Sequence, residues 1–313
     1  MKKITLLVPC YNEEAVVGKF YDRVTGILND IHQYEFEILF VNDGSKDGTL
    51  ALMKTLRAKD IRVSYLDLSR NFGKEIAMIA GIDHINSDAM IVMDADLQDP
   101  PELIPEMIYW WEKGYKDVCA KRKSRAGETW LKKWTSHMYY KVLQQVSSIP
   151  IQPDVGDFRL LDAQCINAIK LIRESQRYTK GIFSWIGFEK KEILFDRDAR
   201  VAGVTKWNYF KLMNLAIEGL TSFTIVPLRI ASLLGCVLSL VSILYMCLVI
   251  FKTLMWGDTV AGYPSLISVV LFIGGIQLLF LGIMGEYIGR IFNETKCRPL
   301  YFINEYNNTT VKK

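Results

Sequence analysis

The chain has only three histidines in 313 residues, and its six cysteines (Cys10, Cys119, Cys165, Cys236, Cys247, Cys297) are scattered with no Cys-x-x-Cys among them. A zinc site built from His and Cys is therefore unsupported, and reduced structural thiols are the expectation. No Gly-x-Gly-x-x-Gly follows the first apolar run and no Gly-x-x-x-x-Gly-Lys-Ser/Thr occurs anywhere, which disfavours both a dinucleotide fold and a P-loop. Net charge is only +4, with its positive residues dispersed rather than gathered in a stripe. Nucleic acid is thus not an expected partner. Lys2-Lys3 followed by Ile4 to Val8 could mimic a signal peptide, but Pro9, Asn12, Glu13 and Glu14 cut the apolar run too early for one to be expected.

What the chain does have is apolar length near its C-terminus. Half of all residues are hydrophobic, and the mean hydropathy of +0.13 is high for a soluble enzyme. Ile230 to Phe251 and Pro264 to Gly285 are each about 22 residues without a charge, long enough at 1.5 Å per residue to reach roughly 33 Å across a bilayer core. Two transmembrane helices, about 229–251 and 264–286, form the expected hairpin. Lys206, Lys211 and Arg229 before it and Arg290, Lys296, Arg298, Lys312 and Lys313 after it outnumber Lys252 in its loop. The positive-inside rule then places both termini, and a domain spanning 1–228, in the cytoplasm, with 290–313 as a tail. The same basic flanks favour anionic lipids as a partner.

Ahead of the hairpin, apolar runs alternate with amphipathic stretches: Ile4 to Val8, Phe36 to Val41, Val63 to Leu68, Ala89 to Met93 and Val118 to Ala120, separated by helical patterns. Runs apolar throughout, rather than at every second residue, predict a mostly parallel α/β sheet covered on both faces. Such sheets bind ligands at the carboxyl ends of their strands. Those ends carry Pro9-Cys10-Tyr11-Asn12-Glu13-Glu14, Asn42 to Thr49, Ser69 to Glu75, and Met93-Asp94-Ala95-Asp96-Leu97-Gln98-Asp99. Each cluster alone also suits a turn and a helix cap. Together they bring acidic, basic and glycine-rich chemistry to one rim.

Asp94 and Asp96 stand out within that rim. At i and i+2 on a strand they would point to one side, and their hard oxygens suit Mg²⁺ or Mn²⁺, which leave coordination sites for water and a ligand's phosphates. A nucleoside diphosphate held through a metal follows. Alone, so short a motif equally describes a solvated loop. Two further stretches, about 129–147 (Trp130, Trp134, Met138, Val142, Val146) and 206–223, read as amphipathic helices at the lipid interface, with a core-packed helix as the alternative for the first.

These motifs, with Val155 to Leu161, Arg200 to Lys206, the two spans and Gly285 to Arg290, resemble family-2 glycosyltransferases of GT-A fold, and within them the membrane-anchored polyprenyl-phosphate glycosyltransferases of the bactoprenol glucosyltransferase type, related to dolichyl-phosphate mannose synthases. The resemblance implies that Pro9, Tyr11, Glu13 and Asp43 frame a uridine. Lys74 belongs to the same donor-binding set. Asp94, Asp96 and Gln98 would hold a divalent cation, Mg²⁺ or Mn²⁺, and the diphosphate. Asp157 matches the catalytic aspartate, Arg200 and Lys206 match cations that engage phosphate, and Arg122, in Lys121-Arg122-Lys123, is similar to a cation near the acceptor phosphate. The implied reaction is inverting transfer of a single hexose, glucose from UDP-glucose, to undecaprenyl phosphate at the cytoplasmic face. UDP-GlcNAc, or GDP-mannose with dolichyl phosphate, would use the same chemistry, and a catalytically silent nucleotide-sugar scaffold is the reading from another class. The Gln-x-x-Arg-Trp of processive synthases is missing, which favours one transfer over polymerisation. The resemblance leaves room for a homo-oligomer.

Overall fold

The computed structural model describes residues 1–123, 155–196 apart from 176 and 178, scattered positions between 228 and 255, and residues 262–307, 309 and 310. Contacts divide the chain into two units: Met1–Gly219 with Arg298–Lys313, and Leu220–Cys297.

In the first unit, β1 (Lys2–Cys10), β2 (Tyr34–Asn42), β3 (Val63–Leu68), β4 (Ala89–Val92) and β5 (Asp117–Arg122) alternate with α1 (Glu14–Leu28), α2 (Thr49–Lys59), α3 (Lys74–His84) and α4 (Ile104–Glu112). Strands β1, β3 and β4 are apolar for most of their length because helices cover both faces, as the sequence leads one to expect of a parallel sheet. Ile4, Leu6, Leu7, Val8, Ala89, Met90, Ile91 and Val92 have no exposed surface. Helix α1 turns Val16, Val17, Phe20, Val24 and Leu28 inward at helical spacing. Pro101 opens a short 3₁₀ turn, Pro101–Leu103, that leads into α4, where its missing N–H costs nothing.

Four further strands complete the sheet: β6 (Val155–Asp162), β7 (Lys190–Phe195), β8 (Ile303–Tyr306) and β9 (Thr309–Thr310). Helices α5 (Ala163–Leu171) and α6 (Thr179–Trp185) lie between β6 and β7 in the chain. The strand order is β7-β5-β6-β4-β1-β2-β3-β8-β9. Pairings β1·β2, β1·β4, β2·β3 and β5·β7 are parallel, whereas β6 runs antiparallel to both β4 and β5 and β8 antiparallel to β3. Strand β6 therefore begins at the edge where β1 to β5 end.

The C-terminal residues differ from their reading as a tail. Glu305 faces Asp67 across the β3·β8 ladder, the Ser69 N–H donates to the Phe302 carbonyl at 2.9 Å, and Glu305 accepts from Lys54 at 2.6 Å and from the Tyr65 hydroxyl at 2.6 Å. Arg298–Lys313 accordingly belongs to the sheet-bearing unit. The reason is the open edge of β3, whose backbone groups need partners.

In the second unit, α7 (Tyr263–Thr295) is one helix of 33 residues, about 50 Å long. It continues past the expected end near 286, since Glu286 and Arg290 pair at i and i+4 with a 3.0 Å contact and carry the helix onward. Its stretch Phe272–Thr295 is long and apolar enough to cross a membrane, with none of that window buried. Of the expected first span, only scattered residues such as Leu233, Leu234 and Leu240 are described, and they are helical with exposed side chains. The expected interfacial stretches 129–147 and 206–223 lie outside the described residues.

Candidate active site

The rim formed by the ends of β1 to β5 and the start of β6 carries the site. Pro9 lies inside β1, in register with Val41, while Tyr11 and Glu13 follow in the turn. That turn is tied to the one after β2: the Asn12 N–H donates to Ser45 Oγ at 2.9 Å, the Lys46 N–H to Asn12 Oδ1 at 2.8 Å, and the Glu13 N–H to Thr49 Oγ1 at 2.9 Å. Gly44 adopts a left-handed φ of 62° at a point where a Cβ would collide with the backbone of Arg70 and Asn71. Only glycine fits that contact.

Asp43 is 2 % exposed, and its carboxylate accepts the N–H groups of Phe72 at 2.7 Å and Gly73 at 2.9 Å. Burial raises its pKa, and these two donors with the nearby Arg70 offset the rise only in part. Asp43 thus fixes the loop between β3 and α3, and the guanidinium of Arg70 stacks 4.1 Å from the Phe72 ring centroid. Beside it, Asn42 Nδ2 donates to Asp67 at 2.7 Å, and Asn304 reaches the other Asp67 oxygen at 3.3 Å.

Lys74 is the first residue of α3 and the centre of the site. Its ammonium lies 2.7 Å from Asp94 and 2.6 Å from Asp157. Partial loss of water around the ammonium opposes that charge, yet the two carboxylates outweigh it and raise the Lys74 pKa above the ordinary lysine value. Asp157 reaches the same rim because the adjacent β6 is antiparallel: its third residue stands where neighbouring strands finish.

The Asp94/Asp96 pair departs from its expected geometry. Strand β4 stops at Val92, so the two aspartates sit on a turn and strand alternation does not orient them. Leu97 turns that loop with a φ of 57°, and the Gln98 N–H donates to Asp96 Oδ1 at 3.1 Å. No cluster of three or more His, Cys, Asp and Glu with metal-ligand spacing exists among the described residues. The donor set available is two carboxylates and the Gln98 amide, all hard oxygens, and Asp94 already attracts a cation in the form of Lys74. That set suits a cation that keeps sites for water and phosphate.

Arg122 ends β5 in register with Phe195, at the same edge, between the pairs Lys121–Glu192 at 2.7 Å and Lys123–Asp196 at 3.3 Å. Arg200 and Lys206 lie outside the described residues. Two contributors were not singled out from the sequence. Glu75 accepts the Thr179 N–H at 3.0 Å from 104 residues away. Arg159 is buried beside Asp157, and its only signal was a cation inside an apolar strand.

A strand-end rim with paired carboxylates, a bridging lysine and a facing aspartate fits a nucleotide-sugar enzyme, and comparison with known proteins gives the class. The model of Glycosyl transferase family 2 matches residues 5–169, and the chain belongs to that family. It is a glycosyltransferase with a mixed GT-A sheet. More narrowly, the model of the GtrB C-terminal hairpin matches residues 226–291. A glycosyltransferase of Synechocystis is 46% identical over 97% of this chain and 95% of its own. The bactoprenol glucosyl transferase of Shigella phage SfX is 44% identical over 96% and 98%, and that of phage SfII 45% identical over 97% and 98%.

Proposed function

We propose that the protein transfers one glucose from UDP-glucose to undecaprenyl phosphate at the cytoplasmic face of a membrane, inverting the anomeric carbon. The observation that supports this best is the Lys74 junction, which draws Asp94 from the donor side and Asp157 from the adjacent antiparallel strand to one nitrogen. The names of the phage relatives supply the sugar and the class of acceptor. The apolar surface of α7, with Arg290 near its C-terminal end and Lys296 and Arg298 after it, supports a membrane anchor with this end inside.

In this reading Pro9, Tyr11, Glu13 and Asp43 bind the uridine, and Asp94, Asp96 and Gln98 hold a divalent cation, Mg²⁺ or Mn²⁺. When bound, that cation neutralises charge on the departing diphosphate. An oxygen of the acceptor phosphate forms the new bond to C1 of glucose, and the C1–O bond to UDP breaks with its electron pair leaving on UDP. A phosphate monoester has a second pKa of about 6, so the acceptor is largely ionised at neutral pH and needs little base catalysis. Asp157 then orients the acceptor and takes a residual proton. Lys74, Arg122, Arg200 and Lys206 offset repulsion between two anionic reactants.

The test is incubation of membranes containing the full chain with radiolabelled UDP- and GDP-sugars and undecaprenyl phosphate, with and without EDTA. Lipid-phase label from UDP-glucose alone, lost with EDTA, is expected. Label from a different donor replaces the sugar, label that survives EDTA removes the cation, and no lipid label from any donor refutes the proposal.

A further inference from the structure

Arg159 lies two residues after Asp157 on β6, in a stretch where the β5·β6 register shifts: Cys119 pairs with Arg159, but Lys121 pairs with Val155. Its side chain is 4 % exposed and pairs with Asp117, which is fully buried, at 3.0 Å. The same guanidinium does two more things. Its second terminal nitrogen donates to the carbonyl of Gly156, the residue before Asp157, at 3.0 Å, and its plane lies 4.0 Å from the ring centroid of buried Phe183 on α6. Nε of Arg159 is buried with no hydrogen-bond partner. Lys190 also faces Asp117, at 3.9 Å.

A buried ion pair is a poor device for stability alone, since apolar residues of similar volume commonly do as well or better. An incompletely satisfied guanidinium is poorer still. What the arrangement does supply is direction. Helix α6, which carries Phe183, begins at Thr179, whose N–H is held by Glu75; Glu75 follows Lys74, and Lys74 holds the Asp157 carboxylate. Asp157 is thereby fixed twice, through its side chain by Lys74 and through its backbone by Arg159, with Glu75 and Phe183 joining the two.

We propose that Arg159 is a positioning residue that sets the aim of Asp157 at the acceptor, with Phe183 as its support. This rests on the reading of Asp157 as the group that orients the acceptor. Lysine in place of Arg159 keeps a charge for Asp117 but has no planar fork to span Asp117, the Gly156 carbonyl and the Phe183 ring together. A displacement of an ångström in a positioned group lowers turnover on the order of 100-fold.

The experiment compares Arg159→Lys and Phe183→Leu with the unaltered full-length enzyme in detergent, measuring kcat, KM for the acceptor, UDP affinity by calorimetry and thermal unfolding. Arg159→Lys is expected to lose kcat on the order of 100-fold while UDP affinity stays within about twofold, and Phe183→Leu to follow in the same direction by less. The decisive arm adds Asp157→Ala: if Arg159 acts through Asp157, the double variant Arg159→Lys/Asp157→Ala is no slower than Asp157→Ala alone. Fully additive losses, or UDP affinity and kcat falling together with the folded fraction, overturn the proposal in favour of a purely structural role. Where Arg159→Lys does not fold, Phe183→Leu carries the same cycle, and its additivity with Asp157→Ala is equally fatal. An Asp157→Ala variant with undiminished kcat would instead refute the underlying role of Asp157, a distinct result.

Discussion

Replacing Lys74 with methionine removes the ammonium shared by Asp94 and Asp157 while keeping most of its aliphatic stem. The two contacts, 2.7 Å and 2.6 Å, place the carboxylate oxygens no further apart than about 5.3 Å. Coulomb attraction at such contacts would be ~6 kcal/mol per pair at an effective dielectric of 20. Side-chain exposures of 42 % for Lys74, 30 % for Asp94 and 18 % for Asp157 argue for much less, because water screens the pairs and their desolvation offsets the gain. About 0.5–1 kcal/mol per pair is the appropriate scale. A divalent cation that takes Asp94 from Lys74 must overcome one such pair, since the contact with Asp157 can remain. Lys74→Met is therefore expected to bind Mn²⁺ about 2- to 5-fold more tightly without donor, and still to turn over more slowly, since a cation facing the diphosphate is gone. Paramagnetic resonance of free Mn²⁺, titrated against full-length protein at pH 7.5, reads this directly, and the advantage should shrink in high salt. Lys74 itself does not titrate in that range: a raised lysine pKa keeps its stabilisation whole below the ordinary lysine value and loses it only above. Equal or weaker Mn²⁺ binding by Lys74→Met would refute the overlap of ammonium and cation at Asp94.

Gly44→Ala forces a side chain into the backbone of Arg70 and Asn71 at a left-handed φ; stability should fall by more than about 1 kcal/mol in thermal unfolding, with UDP affinity weakened as the Asp43 loop shifts. Lys54 and the Tyr65 hydroxyl hold the Glu305 carboxyl below the usual glutamate range. A depressed acid stabilises above its unfolded pKa and loses that contribution as pH falls through the folded one, so hydrogen-exchange protection of Ile303–Tyr306 should decline below about pH 4.5 before that of β1, and Glu305→Gln should abolish the difference. Asp157→Asn should keep most turnover at pH 7.5 and lose it below about pH 6, where the acceptor phosphate takes up a proton; a variant inert at every pH with normal UDP binding contradicts the orienting role.

The parallel half of the sheet was legible because β1, β3 and β4 are covered on both faces and read as mostly apolar runs, interrupted by Thr5, Ser64 and Asp67, between polar turns. Strand β6 was harder: Asp157, Arg159 and Asp162 place three charges in eight residues, and what makes Arg159 tolerable inside is Asp117, 42 positions earlier. Strand β8 reads as a polar tail for the same reason, since the partners of Glu305 are Lys54 and Tyr65. Within the site, the sequence located the four strand-end clusters but treated Asp94 and Asp96 as strand residues, whereas a turn sets their direction. That Lys74 joins a carboxylate from the turn after β4 to one near the start of the neighbouring β6 depends on the reversal of β6, which no local pattern encodes.

The pairing of β3 with β8 has a consequence for how the protein is made. Tyr65 and Glu305 are 240 residues apart in the chain, and the residues that form the hairpin lie between them. During synthesis, the β3 edge of the sheet stays open until residues 226–291 have left the ribosome. Completion of the sheet thus follows emergence of the hairpin region, and a gene truncated before it would yield a sheet with β3 unprotected, prone to pair with other copies.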